Sequence, residues 1–323
     1  MRRIALLTVL LAAFVVPAAG ARTTDTTLSL VAYSTPKDAF SKIIPAFQQT
    51  PAGKDVSFTQ SYGPSADQAQ SIVKGLPADV VDFSLEPDMR TLVKAGLVAP
   101  TWNANKYKGI VTRSVVVIVF REGNPKHIRS WNDLIKPGVE VLTPNPLTSG
   151  GARWNVLAAY GAQLKLGKTP KQAEQYLYKL FHHVPVQDKS ARDALNTFLN
   201  GKGDALLTYE NEALLAQHNG QKAYFNIPKA TIRIDNPVAS LSTSKNKTEA
   251  QSFVKFLYTP AAQKLFAQSG YRPVLPSATK GFSFPVRPKL FTIDYLGGWT
   301  KAQKKFFDPN TGLVAKIEAS LGG

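Results

Sequence analysis

Short β-branched runs alternate with amphipathic helical patterns along nearly the whole chain, and this alternation limits the fold more than any other feature of the sequence. The runs TLSLVAYS, DVSFTQS, ADVVDFSL, SVVVIVFR, VEVLTPN, DALLTYE and PVASLST are bounded by turn residues and read as strands. Between them, PKDAFSKIIPAFQQ places Phe40, Ile43, Ile44 and Phe47 at helical spacing. SADQAQSIVKGL, GGARWNVLAAYGAQLKL, TPKQAEQYLYKLF and AQSFVKFLYTPAAQKLFAQ follow the same period. Such alternation predicts an α/β fold with mostly parallel sheets. At 323 residues the chain exceeds one typical domain, so two compact lobes are expected. No internal repeat or low-complexity tract interrupts the pattern.

The N-terminus stands apart. MRR supplies a charged start, IALLTVLLAAFVV an apolar run and PAAGA small residues for cleavage after Ala21, so residues 1–21 read as a secretory signal peptide. A membrane anchor is the competing reading, but the run has 13 residues before Pro17, against roughly 20 needed to span a bilayer. The expectation is a soluble, exported chain beginning at Arg22. Absence of cysteine excludes disulfides, thiolate metal sites and a lipid-modified N-terminal Cys. Export without an anchor suits a bacterial periplasm. Removing Arg2 and Arg3 with the leader leaves 37 basic against 22 acidic residues, a net charge of +15. That balance favours anionic partners, or reflects nothing beyond solubility.

One helix opens unusually. In TPNPLTSGGARWNVLAAY, Gly150 and Gly151 follow Ser149 at the start of a strong helical pattern, although each glycine costs about 1 kcal/mol relative to alanine. A helix N-terminus offers unpaired N–H groups and about half a positive charge. Without side chains at Gly150 and Gly151 an anion can approach those groups, with the Ser149 hydroxyl as a further donor. The same letters also spell a plain Ser N-cap and a flexible turn. SYGPSADQAQSIV and QDKSARDALNTFLNG start helices in a similar way, at Ser65 and at Ser190–Ala191. Three donor-rich helix starts, each after an extended segment, suit a ligand held at the carboxyl ends of strands.

Other chemistries find little support. G-x-S-x-G, H-E-x-x-H and P-loop motifs are absent, so a secreted hydrolase is the weaker alternative and no catalytic residue, metal ligand or cofactor is assigned. Of the four histidines, His127, His182, His183 and His218, the adjacent His182 and His183 have no carboxylate partner at metal-ligand spacing, and all four read as surface or helix-end residues. Glu210 and Glu212 lie two apart and face differently on a helix. Basic groups in TSKNKTEAQSFVKF and TKAQKKFF match no nucleic-acid module, so a polyanion surface is the other alternative and no nucleic-acid partner is expected.

The segments RSWNDLIKPGVEVLTPNPLTSGGARWNVLAAYG, GDALLTYENEALL, SGYRP and LFTID resemble the periplasmic sulfate-binding proteins that serve sulfate and thiosulfate ABC importers. The resemblance runs collinearly over essentially the whole chain after the leader. It implies a two-lobed type II periplasmic binding protein fold with hinge strands between the lobes. Lobe 1 would comprise residues 28–112 and 236–268, lobe 2 residues 120–232 and 272–323. It further implies a monomer that delivers sulfate or thiosulfate to a membrane permease with separate ATPase subunits. Carried over by motif position, the ligands are the Ser65 and Ser149 hydroxyls and the N–H groups of Gly150, Gly151 and Ala191. Ser34 stands where the family has aspartate, which contributes only its N–H. Tyr209 stands where the sulfate branch typically has tryptophan, and Asp67 where the family is usually basic. A phenol can accept as well as donate. Tyr209 and Asp67 therefore leave phosphate or molybdate open as alternative oxyanions. Arg153 and Arg192 follow the proposed ligands closely, as supports of the helix ends or as solvated residues.

Overall fold

The computed structural model describes residues 26–322; the leader read over residues 1–21 lies outside them. β1 (Thr26–Tyr33) is flanked by β2 (Val56–Gly63) and β3 (Val80–Asp82), both parallel to it. The crossovers are α1 (Lys37–Gln48) and α2 (Ser65–Val73), and α3 (Glu86–Lys94) follows β3. Helical spacing is fulfilled on α1, whose Phe40, Ile43, Ile44 and Phe47 are all buried. Phe47 meets Phe253 and Phe256 at 5.1 and 5.4 Å between ring centroids, which seals this half's core with aromatic contacts.

β4 (Ile110–Phe120) leads into the second half, where β5 (Val141–Leu142) runs parallel to β6 (Ala205–Tyr209). Between these two strands lie α4 (Gly150–Lys165), α5 (Pro170–Phe181) and α6 (Ala191–Leu199); α7 (Glu210–His218) continues directly from β6. β7 (Tyr224–Asn226) and β8 (Ala230–Ser240) bring the chain back. α8 (Lys247–Leu257) and α9 (Pro260–Gln268) then pack on α1. β9 (Arg272–Pro273), β10 (Lys289–Phe291), α10 (Gly298–Ala302) and α11 (Leu313–Ser320) complete the described chain.

Two 11-residue strands join the halves. β8 pairs with β3 through Val238–Ser240 and with β4 through Arg233–Pro237. β4 then pairs with β6 from Val116 to Phe120, so the sheet runs β2-β1-β3-β8-β4-β6-β5 without a break. β2-β1-β3, β5-β6 and β10-β8 pair in parallel, but β8 runs antiparallel to β3 and β4, and β6 and β7 run antiparallel to β4, so the mostly parallel expectation holds only for the outer strands of each half. On β4, Val116 and Ile118 enter one core while Val115, Val117 and Val119 enter another, as the two-residue repeat of a doubly covered strand requires. β9 adds a third connection by pairing with Thr112 and Arg113 of β4.

One long helical pattern divides. Residues 250–268 read as a single helix, but Thr259 caps a new one through Ala262 N–H at 3.3 Å, with Pro260 at its first position. Proline lacks the N–H that would continue the first helix.

Candidate anion-binding site

Parallel strands send their carboxyl ends to one edge, and the helices that follow begin there. In the first half this edge carries Ser34, just after β1, and Ser65, the first residue of α2. In the second half it carries Tyr209, at the end of β6, and the starts of α4 and α6. The two edges meet. Ala66 N–H donates to Thr148 O at 3.3 Å, and the Trp154 indole donates to Ser84 O at 2.9 Å. Ser84 Oγ lies 2.6 Å from Tyr209 Oη. Ser65, Ser84, Ser149, Ala191 and Tyr209 are each at most 3% exposed, so the joint is closed to solvent.

Glycine is required at this joint by close approach. A Cβ on Gly150 would come within 2.5 Å of Ser84 Cβ and 2.8 Å of Leu85 Cδ2. One on Gly151 would come within 2.8 Å of Tyr209 Cε2, 3.1 Å of Ala191 Cβ and 3.4 Å of Ser149 Oγ. These contacts place Gly150, Gly151, Ser149, Ala191, Tyr209 and Ser84 around one point.

The donors divide into spent and unspent. Ser149 caps α4 by accepting from Ala152 N–H at 3.3 Å, which leaves its hydroxyl hydrogen for another group. Ser190 accepts from Asp193 N–H and donates to Asp193 Oδ2 at 2.7 Å, so its hydroxyl is used locally. Ser65 Oγ donates to Asp88 Oδ2 at 2.6 Å and accepts from Ser84 N–H at 3.1 Å. The Ser65 hydroxyl hydrogen is thus committed, contrary to the ligand role expected of it, and the donor Ser65 has left is its backbone N–H. Among the described residues, the N–H groups of Ser65, Gly150, Gly151 and Ala191 have no hydrogen-bond partner. Buried N–H groups are rarely left so. Four of them at three helix starts make a concentrated positive potential without a formal charge. Ser34 is half-buried at the margin.

The neighbouring charges are answered elsewhere. Arg192 donates to Glu212 at 2.7 and 2.8 Å, to Asp38 at 2.9 Å and to Thr35 O at 3.2 Å. Arg153 donates to Pro146 O at 2.9 Å and so braces the turn before α4. Both arginines therefore support helix ends, which settles the choice the sequence left open. Glu210 is held by Arg272 at 2.6 and 2.9 Å, and Tyr271 Oη meets Thr35 Oγ1 at 2.7 Å, so the YRP segment ties α7 and α1 to the joint. Asp67 is exposed in the first turn of α2. Burial pushes the Tyr209 hydroxyl pKa upward, so it stays a neutral phenol. Among the described residues no His, Cys, Asp and Glu cluster is arranged to hold a metal ion.

Two residues of the joint went unremarked in the sequence. Ser84 touches Gly150 and Tyr209, yet follows a strand with no motif around it. Asp82 ends the apolar run ADVVD, and its burial holds the carboxyl well above the usual carboxylate range. An acid closing such a run was the available signal.

A family profile described as bacterial extracellular solute-binding protein matches residues 28–272. The sulfate-binding protein of Synechococcus elongatus is 42% identical over 307 residues, covering 92% of this chain and 87% of that protein. The sulfate-binding protein of Escherichia coli K12 is 39% identical, covering 91% and 94%. The thiosulfate-binding protein of Pseudomonas aeruginosa is 33% identical, covering 86% and 88%. Among solved structures, the sulfate-binding protein SubI from Mycobacterium tuberculosis superposes with a TM-score of 0.85 at 45% identity, over 88% of this chain and all of that one. The periplasmic binding protein AfuA from Actinobacillus pleuropneumoniae shares the fold at a TM-score of 0.68 and 17% identity, over 92% and 99%.

Proposed function

The chain belongs to the bacterial extracellular solute-binding proteins, and we propose from this that it closes on sulfate and delivers it to an ABC permease. Its fold is the two-lobed one of periplasmic binding proteins. Lobe 1 is taken as residues 28–112 with 236–268, and lobe 2 as residues 120–232 with 272–323; β4 and β8 cross between them. The observation that carries the reading is the meeting of unpartnered N–H groups from Ser65, Gly150, Gly151 and Ala191 in a closed joint. With the Ser149 hydroxyl and the Tyr209 phenol, and the Ser34 N–H at the margin, they form a donor set for a tetrahedral dianion. Helix ends and hydrogen bonds neutralise its charge, so no buried counter-ion is needed.

The ligand shifts the open–closed equilibrium by its preference for the closed form, which presents donors from both lobes at once. Thiosulfate fits the same donor set. Membrane passage and ATP hydrolysis fall to separate subunits, with this chain acting in the periplasm as a monomer after removal of residues 1–21 and performing no chemical step. The Ser84–Tyr209 hydroxyl pair favours a second reading, because either oxygen can accept a hydrogen bond from the O–H of a less ionised oxyanion. Calorimetric titration of residues 22–323 with sulfate, thiosulfate, molybdate and phosphate tests both. Tight sulfate binding with phosphate silent is expected; comparable phosphate binding selects the second reading, and no oxyanion binding rejects both.

A further inference from the structure

Asp82 is 1% exposed, and neither of its carboxyl oxygens has a hydrogen-bond partner among the described residues. Its strand neighbours are Ala32 of β1 and Val238 of β8, neither of which offers a hydrogen bond from its side chain. Beyond Ala32 in the same cross-strand row stands Tyr62 of β2. Two residues after Asp82 comes Ser84, bonded to Ser65 and Tyr209; two residues after Ala32 comes Ser34. The carboxyl therefore lies at the level just beneath the helix starts that form the cradle.

Five phenols lie within electrostatic reach of it, Tyr33 on β1, Tyr62 on β2, Tyr209 at the end of β6, Tyr258 after α8 and Tyr271 after α9. The other carboxylates near these phenols are already engaged: Asp38 and Glu212 with Arg192, Asp88 with Ser65. No lysine or arginine offsets the burial of Asp82. A dianion and an ionised carboxylate sharing this water-poor space would repel strongly. Sulfate stays a dianion across the neutral range, so the proton must sit on the protein.

We propose that Asp82 couples anion binding to proton uptake: the closed, loaded site holds Asp82 as the neutral acid, and opening wets the end of β3 and lets it ionise. This rests on the anion-binding reading above. Where the open form is ionised, each sulfate bound takes one proton from solvent, and affinity falls by up to about tenfold per pH unit.

The test is calorimetric titration of the mature chain with sodium sulfate between about pH 5 and pH 9, in buffers of different ionisation enthalpy. The wild type should lose affinity toward the alkaline end and take up as much as one proton per sulfate. Asp82→Asn should bind with a flat pH profile and no uptake, and Asp82→Thr provides a second variant should Asn fold poorly. The infrared carbonyl stretch of a neutral carboxylic acid should be present in loaded wild type at pH 8 and absent from either variant. A flat wild-type profile without uptake, or the wild-type slope persisting in the variants, overturns the coupling while leaving the anion site intact. Failure to bind sulfate at any pH overturns the anion reading and the coupling with it.

Discussion

Arg192, at the start of α6, reaches Asp38 in the first turn of α1 with 2.9 Å between Nη1 and Oδ2, so one ion pair spans the two lobes. The same guanidinium holds Glu212, which is fully buried, while Asp38 is partly exposed. Its two carboxylates therefore have different tasks. Arg192→Ala strands the buried Glu212 charge and should destabilise the fold by about 3–5 kcal/mol. Asp38→Ala leaves the Arg192–Glu212 pair intact and should cost no more than about 1 kcal/mol, taken from the closed form and seen as a several-fold rise in sulfate Kd. Urea unfolding and titration of both variants check this; equal losses of stability would remove the distinction.

Gly150 and Gly151 should fail differently. Gly150→Ala sets a methyl group against Ser84 and Leu85 of the opposite lobe, so it should hold the cleft open and weaken binding by about 100-fold with little loss of stability. Gly151→Val fills the space between Tyr209 and Ala191 and should abolish binding without unfolding the protein. Small-angle scattering with saturating sulfate separates them from wild type. Near-wild-type affinity in Gly151→Val would take that residue out of the site.

Tyr209→Phe removes the phenol from its bond with Ser84 and from the proposed donor set. Sulfate affinity should drop by about tenfold, as expected for a lost hydrogen bond to a charged group. Ser84→Ala removes only the interlobe bond and should cost less. If the two variants lose affinity equally, Tyr209 acts through closure rather than on the anion.

With sulfate bound and the site closed, stability should fall as the pH rises above the ordinary carboxylate range. The folded-state pKa of Asp82 is raised by burial, so the folded chain holds this proton more tightly than the unfolded chain. Its favourable contribution is complete below the unfolded carboxylate pKa and is lost as pH rises toward the folded value, by up to about 1.4 kcal/mol per pH unit. Asp82→Asn should therefore melt higher than wild type at pH 9 and nearer to it at pH 5. Parallel melting curves across that range would contradict the assignment.

Much of this architecture can be read from local pattern. The strand runs, α1, α4 and α5 follow from hydrophobic period, and Ser149-Gly150-Gly151 marks its helix start by chemistry that needs no distant partner. α7 escaped notice because Glu210, Asn211 and Glu212 are buried polar residues, which gives its start no apolar face. The part of β4 before Ser114 escaped because Thr112 and Arg113 hide a strand that only β8 and β9 complete. Ser84 and Arg192 acquire their roles from partners 125 and 154 residues away in the sequence, Tyr209 and Asp38. Periodicity reports which face is buried; it does not report which face meets which.

The crossing strands also set an order of assembly. The edge of β3 finds its partner only when Val238–Ser240 arrives, and α1 waits for α8 and α9 to cover it. A chain emerging from its N-terminus therefore cannot finish the first lobe before the larger part of the second has been synthesised. Contacts this distant close slowly because the intervening loop must first lose its entropy. A nascent protein built this way carries the open edge of β3 and the uncovered face of α1 for most of its synthesis.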